Sequence, residues 1–130
     1  MMNPNPIFGR KSNLFTIVLA AVVGLLAIPV IIPHVLHGYH MFHIGIHVAG
    51  LTLSIFLLIL AAMAYKNLKS NKMLFTLISF TVFVVAEIVT LIDATWPTIY
   101  DLGYMTLSEV GHVLLLVTLG MLAIGVFKND

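Results

Sequence analysis

Four stretches of about 20 mostly apolar residues divide this chain, each long enough at 1.5 Å rise per residue to cross a hydrocarbon layer about 30 Å thick. They run from about Leu14 to Ile32, His43 to Ala64, Met73 to Ile92 and Met105 to Phe127. Each predicts a membrane-spanning helix. Arg10 and Lys11 precede the first stretch as they would a signal peptide. Its apolar run is too long for one, however, and no small-residue cleavage pattern follows, so the sequence predicts a retained helix kinked at Pro29.

Composition excludes the main alternatives. Of 130 residues, 61% are hydrophobic and 8% charged, against roughly 25% charged in a soluble domain. A mean hydropathy of +1.12 identifies an integral membrane protein whose first partner is the lipid bilayer. Six Lys and Arg are too few for a nucleic-acid binder, and so many apolar residues exclude a disordered tail. Cysteine is absent, which removes disulfides, iron-sulfur clusters and thiolate ligands. Any cofactor must be held by His, carboxylate, Met or backbone oxygen.

Every basic residue falls at one end of the spans: Arg10 and Lys11 before the first, Lys66, Lys69 and Lys72 between the second and third, Lys128 after the fourth. Positive charge is retained in the cytoplasm, so both termini and the Lys-rich loop are expected there, with the His-rich loop extracytoplasmic. Trp96, Tyr100 and Tyr104 are expected as interfacial anchors at the opposite face, beside Asp93 and Asp101. Short connections and the lack of any linker or repeat predict one all-α membrane domain over residues 1–130, four transmembrane helices in an antiparallel bundle. Small residues four apart, Ala20 with Gly24, Gly45 with Ala49 and Gly50 with Ser54, are candidates for close helix contacts.

The chemistry lies in polar residues that a span should not contain. Five histidines, His34, His37, His40, His43 and His47, fall within fourteen residues and share one broad face if that stretch is helical. His34 to His40 read as a wet interfacial segment. His43 and His47 are one turn apart, a spacing that lets two imidazoles approach one ion. Glu87 sits about six residues, roughly 9 Å, inside the third span, where an ionisable group needs a partner or a water-filled cavity. Thr76, Ser79, Phe83 and Thr90 extend a partly polar stripe near the same face. In the fourth span, Glu109-Val110-Gly111-His112 projects a carboxylate and an imidazole at i and i+3 from one side.

Side by side, the spans bring His43, His47, Glu87, Glu109 and His112 to one level, the candidate metal-ligating set. Imidazole and carboxylate suit copper, zinc or iron, and Met41 or Met105 could add a soft ligand. Two other uses compete. The same groups could relay protons, and His47 with His112 could hold haem from two helices, although haem leaves Glu87 and Glu109 unexplained.

No nucleophile elbow, phosphate-binding glycine loop or zinc-protease motif is present, and little chain lies outside the membrane to bind a substrate. A non-catalytic subunit role follows. The segment Ala64-Tyr65-Lys66-Asn67-Leu68-Lys69-Ser70-Asn71-Lys72-Met73, with Glu87 and Glu109-Val110-Gly111-His112, resembles small four-helix archaeal membrane proteins. Among these are accessory subunits of the archaeal ammonia monooxygenase, a copper membrane monooxygenase. The resemblance spans about the last ninety residues and implies a subunit that scaffolds larger membrane partners, with copper chemistry facing outward. The rival expectations are a stand-alone membrane metal-binding or transport protein and a small membrane cytochrome b.

Overall fold

A computed structural model describes residues 11–37, 41–96 and 103–127. Arg10, His40, Tyr100, Asp101 and Lys128 lie outside the described residues. Among the described residues five α-helices are formed: α1 Lys11–Leu26, α2 Ile32–His37, α3 Met41–Leu68, α4 Asn71–Thr95 and α5 Leu107–Phe127. A π-helical turn, Ala27–Ile31, joins α1 to α2, so four helical segments are long and apolar enough to cross a membrane. Among the described residues there is no strand.

The π turn is what Pro29 produces. Its ring nitrogen cannot donate to the helical ladder, and the helix widens instead of ending. The Ile32 N–H bonds the carbonyl of Ala27, five residues back. Expected ends and observed ends differ mainly at the polar margins, where helices continue: α3 begins at Met41, and α4 runs on to Thr95.

A two-residue link turns α3 back along α4. The Lys69 N–H closes the end of α3 on Tyr65 O at 2.8 Å, with Lys69 itself at φ 49°, in the left-handed region that ends helices. Ser70 then caps α4, its hydroxyl oxygen accepting from the Met73 N–H at 3.3 Å. So short a link sets the start of α3 beside the end of α4. The register of α5 follows from two glycines. Gly111, early in α5, sits against the Thr90 side chain, and a Cβ on Gly125 would lie 3.0 Å from Phe75 Cβ, early in α4. The start of α5 therefore shares a level with the end of α4 and the start of α3.

α4 is the central element, packed on α3 on one side and α5 on the other, while α1 rests on α3. The helices follow one another as a row, and α1 makes no extensive contact with α5. Leu14, Val18 and Val22, an i, i+4, i+8 stripe on α1, form the buried core with Val30, Ile44, Leu51 and Leu91. Phe15 meets Phe56 edge-on with centroids 5.3 Å apart. The outward faces are apolar: Leu25 is 79%, Phe42 84% and Phe127 83% exposed, a surface suited to lipid and not to water.

Hydroxyls inside the spans are satisfied by their own helices. Thr52, Ser79, Thr95 and Thr118 each donate to the carbonyl four residues back, and Ser54 to that of Leu51. Of the small residues singled out above, Gly24 and Gly45 have nothing within 4 Å of where a Cβ would stand. Gly50 does meet a neighbour, and that neighbour is Glu87.

Candidate functional site

The shared level of three helix ends holds a cavity of about 190 Å³ lined by His43, His47, Glu87, Thr90, Asp93, Ser108 and His112, with Ala86 and Leu115. Four of the five residues expected to cluster, His43, His47, Glu87 and His112, line it together. Two turns of α3 supply the first pair, whose rings stand edge to face with centroids 4.7 Å apart. Glu87, Thr90 and Asp93 follow at three-residue steps on α4, and Ser108 and His112 descend from the first turns of α5.

The chemistry centres on His47. Its Nδ1 lies 3.4 Å from Glu87 Oε2 and 3.3 Å from Thr90 Oγ1, with the His47 and Glu87 side chains 18% and 14% exposed. Thr90 commits its own hydroxyl hydrogen to Ala86 O at 3.0 Å or Glu87 O at 3.1 Å, which leaves its oxygen as an acceptor. With Glu87 ionised, both groups facing Nδ1 are acceptors, which places the hydrogen of a neutral His47 on Nδ1 and its lone pair on Nε2. His112 reaches the same state by another route, donating Nδ1–H to Ser108 O at 2.8 Å. An imidazole that donates one nitrogen to a carboxylate or carbonyl and presents the other is the form found in metal-ligating histidines.

That bond alone does not define a ligand. His34 makes it too, with Nδ1 2.7 Å from Val30 O, and His34 does not line the cavity. The distinction of His47 and His112 is that they make it while lining one cavity. His37 closes α2.

Glu109 is the expected member that is not brought to the cavity. Its carboxylate folds back on its own helix start, where Oε2 accepts from the Thr106 N–H at 2.7 Å and from Thr106 Oγ1 at 3.2 Å. Thr106 Oγ1 in turn accepts from the Glu109 N–H at 3.2 Å. This reciprocal pair is a capping box, and it satisfies orphan donors of α5. Asp93 takes the place at the cavity that the sequence assigned to Glu109. Its three-residue spacing from Glu87 and Thr90 was the available signal.

Among the described residues, no three His, Asp or Glu side chains converge as a ready-made metal-ligand group. No family model matches this chain, and neither does any curated protein or any solved structure.

Proposed function

We propose that this chain is a multi-pass membrane protein that holds a transition-metal cation, copper or zinc, in the cavity between α3, α4 and α5. His47 and His112 supply Nε2 ligands, His43 and Asp93 lie within the same lining, and Glu87 orients His47. One observation supports the reading: His47 Nδ1 faces two oxygens, Glu87 Oε2 and Thr90 Oγ1, inside a cavity it shares with His112. With thiolate absent from the chain, imidazole and carboxylate define the metals it can take.

In this reading the helices form an antiparallel assembly with both termini and the lysine hairpin in the cytoplasm, and the histidine end extracytoplasmic, as the distribution of basic residues favours. The chain acts as a small non-catalytic subunit beside larger membrane partners, of the kind its resemblance to archaeal ammonia monooxygenase accessory subunits implies. The apolar outward faces of α1 and α5 are compatible with such partners as well as with lipid.

The test is purification from native membranes in mild detergent, with metal analysis and subunit identification on the same fraction. The expected result is copper or zinc near one per chain, with larger subunits at fixed stoichiometry. Metal on a lone chain would replace the subunit role by stand-alone metal binding, and a metal-free fraction would overturn the metal reading. A second reading is favoured by the absence, among the described residues, of three converging ligands: the His47–Glu87 pair passes protons. In that case His47→Ala abolishes proton movement in vesicles loaded with a pH dye, and chelators have no effect.

A further inference from the structure

Helical glycines among the described residues fall into two groups. Gly24, Gly45 and Gly120 have open space where a Cβ would stand, whereas Gly50, Gly111 and Gly125 meet a neighbouring helix. Two of the second group touch the cavity's polar residues on α4: Gly111 meets Thr90, and Gly50 meets Glu87. At Gly50 the whole carboxyl group is involved. A Cβ there would lie 2.7 Å from Glu87 Oε2, 2.8 Å from Cδ and 2.9 Å from Oε1, closer than non-bonded atoms allow.

The Glu87 carboxylate therefore lies directly on the α3 backbone, in the space left by a missing side chain, three residues beyond His47. That seat is what lets Oε2 reach His47 Nδ1 on the same helix. We infer that Gly50 is a positioning residue of this site: by having no side chain, it holds the Glu87 carboxylate against α3, and through it fixes the tautomer and ring orientation of His47. The inference takes its metal context from the function proposed above, but the Gly50–Glu87–His47 relation is a matter of geometry and can be tested without metal.

A methyl group at position 50 meets the far end of a flexible side chain and not a backbone. Glu87 gives way, and the direction open to it is off α3, away from His47. Gly50→Ala is thus expected to fold and to lose the His47 contact. The effect on metal is that of removing an orienting partner, a loss of about 10–100-fold in affinity.

The experiment is a double-mutant cycle on the full chain in detergent, with 15N-labelled histidine and no added metal, followed by titration with zinc. Gly50→Ala should move the His47 ring-nitrogen signals toward those of Glu87→Ala. Adding Gly50→Ala to Glu87→Ala should change nothing further, because the clashing group is gone. Gly45→Ala, on the same helix and facing open space, should leave His47 as in the unmodified chain. If Gly50→Ala alone fails to fold, Glu87→Ala should restore folding in the double variant. A Gly50→Ala protein with unaltered His47 signals, effects that simply add, or a double variant that folds no better would each overturn the inference. Failure of the unmodified chain to bind zinc or copper would instead count against the metal reading, with the His47 signals still deciding the role of Gly50.

Discussion

Thr106 and Glu109 exchange hydrogen bonds across the first turn of α5, the Thr106 N–H to Glu109 Oε2 at 2.7 Å and the Glu109 N–H to Thr106 Oγ1 at 3.2 Å. The carboxylate is thereby committed to starting a helix. Thr106→Ala should lower the stability of the detergent-solubilised chain by about 0.5–2 kcal/mol, as loss of a cap does. Glu109→Gln should leave metal content unchanged, since a capping box works with Gln as well as Glu. Thermal unfolding and metal analysis of the two variants check both statements, and loss of metal from Glu109→Gln would return Glu109 to the site.

The cavity residues should behave differently. In the metal reading proposed above, His47→Ala and His112→Ala each remove an Nε2 ligand from a small set, so stoichiometric metal should be lost from either. Glu87→Gln keeps the size of the side chain but weakens the acceptor facing His47 Nδ1, and about a 10–100-fold weaker affinity is expected. His34→Ala should bind metal normally, because His34 is bonded to Val30 O away from the cavity. Competition titration with a chromophoric chelator ranks the four variants. Equal affinities across all of them would remove the cavity as a metal site.

The four spanning segments were legible because run length is nearly decisive in a membrane: about 20 apolar residues have few other uses. What was not legible turned on shifts of two or three residues at helix ends. Starting the fourth span at Met105 puts Glu109 inside a helix, where Glu-x-x-His reads as a ligand pair. With α5 starting at Leu107, Thr106 is the cap and Glu109 its third residue, so Thr-x-x-Glu is the meaningful spacing. Ending the third span at Ile92 likewise leaves Asp93 outside, whereas α4 continues to Thr95 and keeps Asp93 in step with Glu87 and Thr90. The contact of Gly50 with Glu87 depends on the register between two helices, which no pattern within either helix encodes.

Gly111 offers a contrast with Gly50. Its neighbour is the γ-methyl of Thr90, a β-branched side chain with little freedom to turn aside, and its hydroxyl is already bonded to the α4 backbone. Gly111→Ala should therefore destabilise the α4–α5 contact by about 1–3 kcal/mol, the usual range for overpacking. Gly24→Ala should be neutral or slightly stabilising, since a methyl there meets nothing and alanine favours a helix. Unfolding midpoints of the two variants in one detergent decide the matter. A Gly24→Ala protein as weakened as Gly111→Ala would mean that α1 packs on something beyond this chain.

Sidedness can be read directly because the chain has no cysteine to remove before introducing one. Lys69 lies in the two-residue link before α4, and Tyr104 lies in the segment before α5, 101% exposed. Between them runs α4, whose 25 residues span about 37 Å, enough to cross the hydrocarbon layer. With α4 crossing the membrane, cysteines at positions 69 and 104 face opposite compartments. The proposed topology places the lysine link in the cytoplasm, so a membrane-impermeant maleimide added to intact cells should label Tyr104→Cys. Lys69→Cys should react only after permeabilisation. The reverse pattern would put the histidine cavity on the cytoplasmic side and take away the outward-facing metal role. Labelling of both positions from one side would mean that α4 does not cross the membrane, and the carboxylate of Glu87 would then sit in a setting that water can reach.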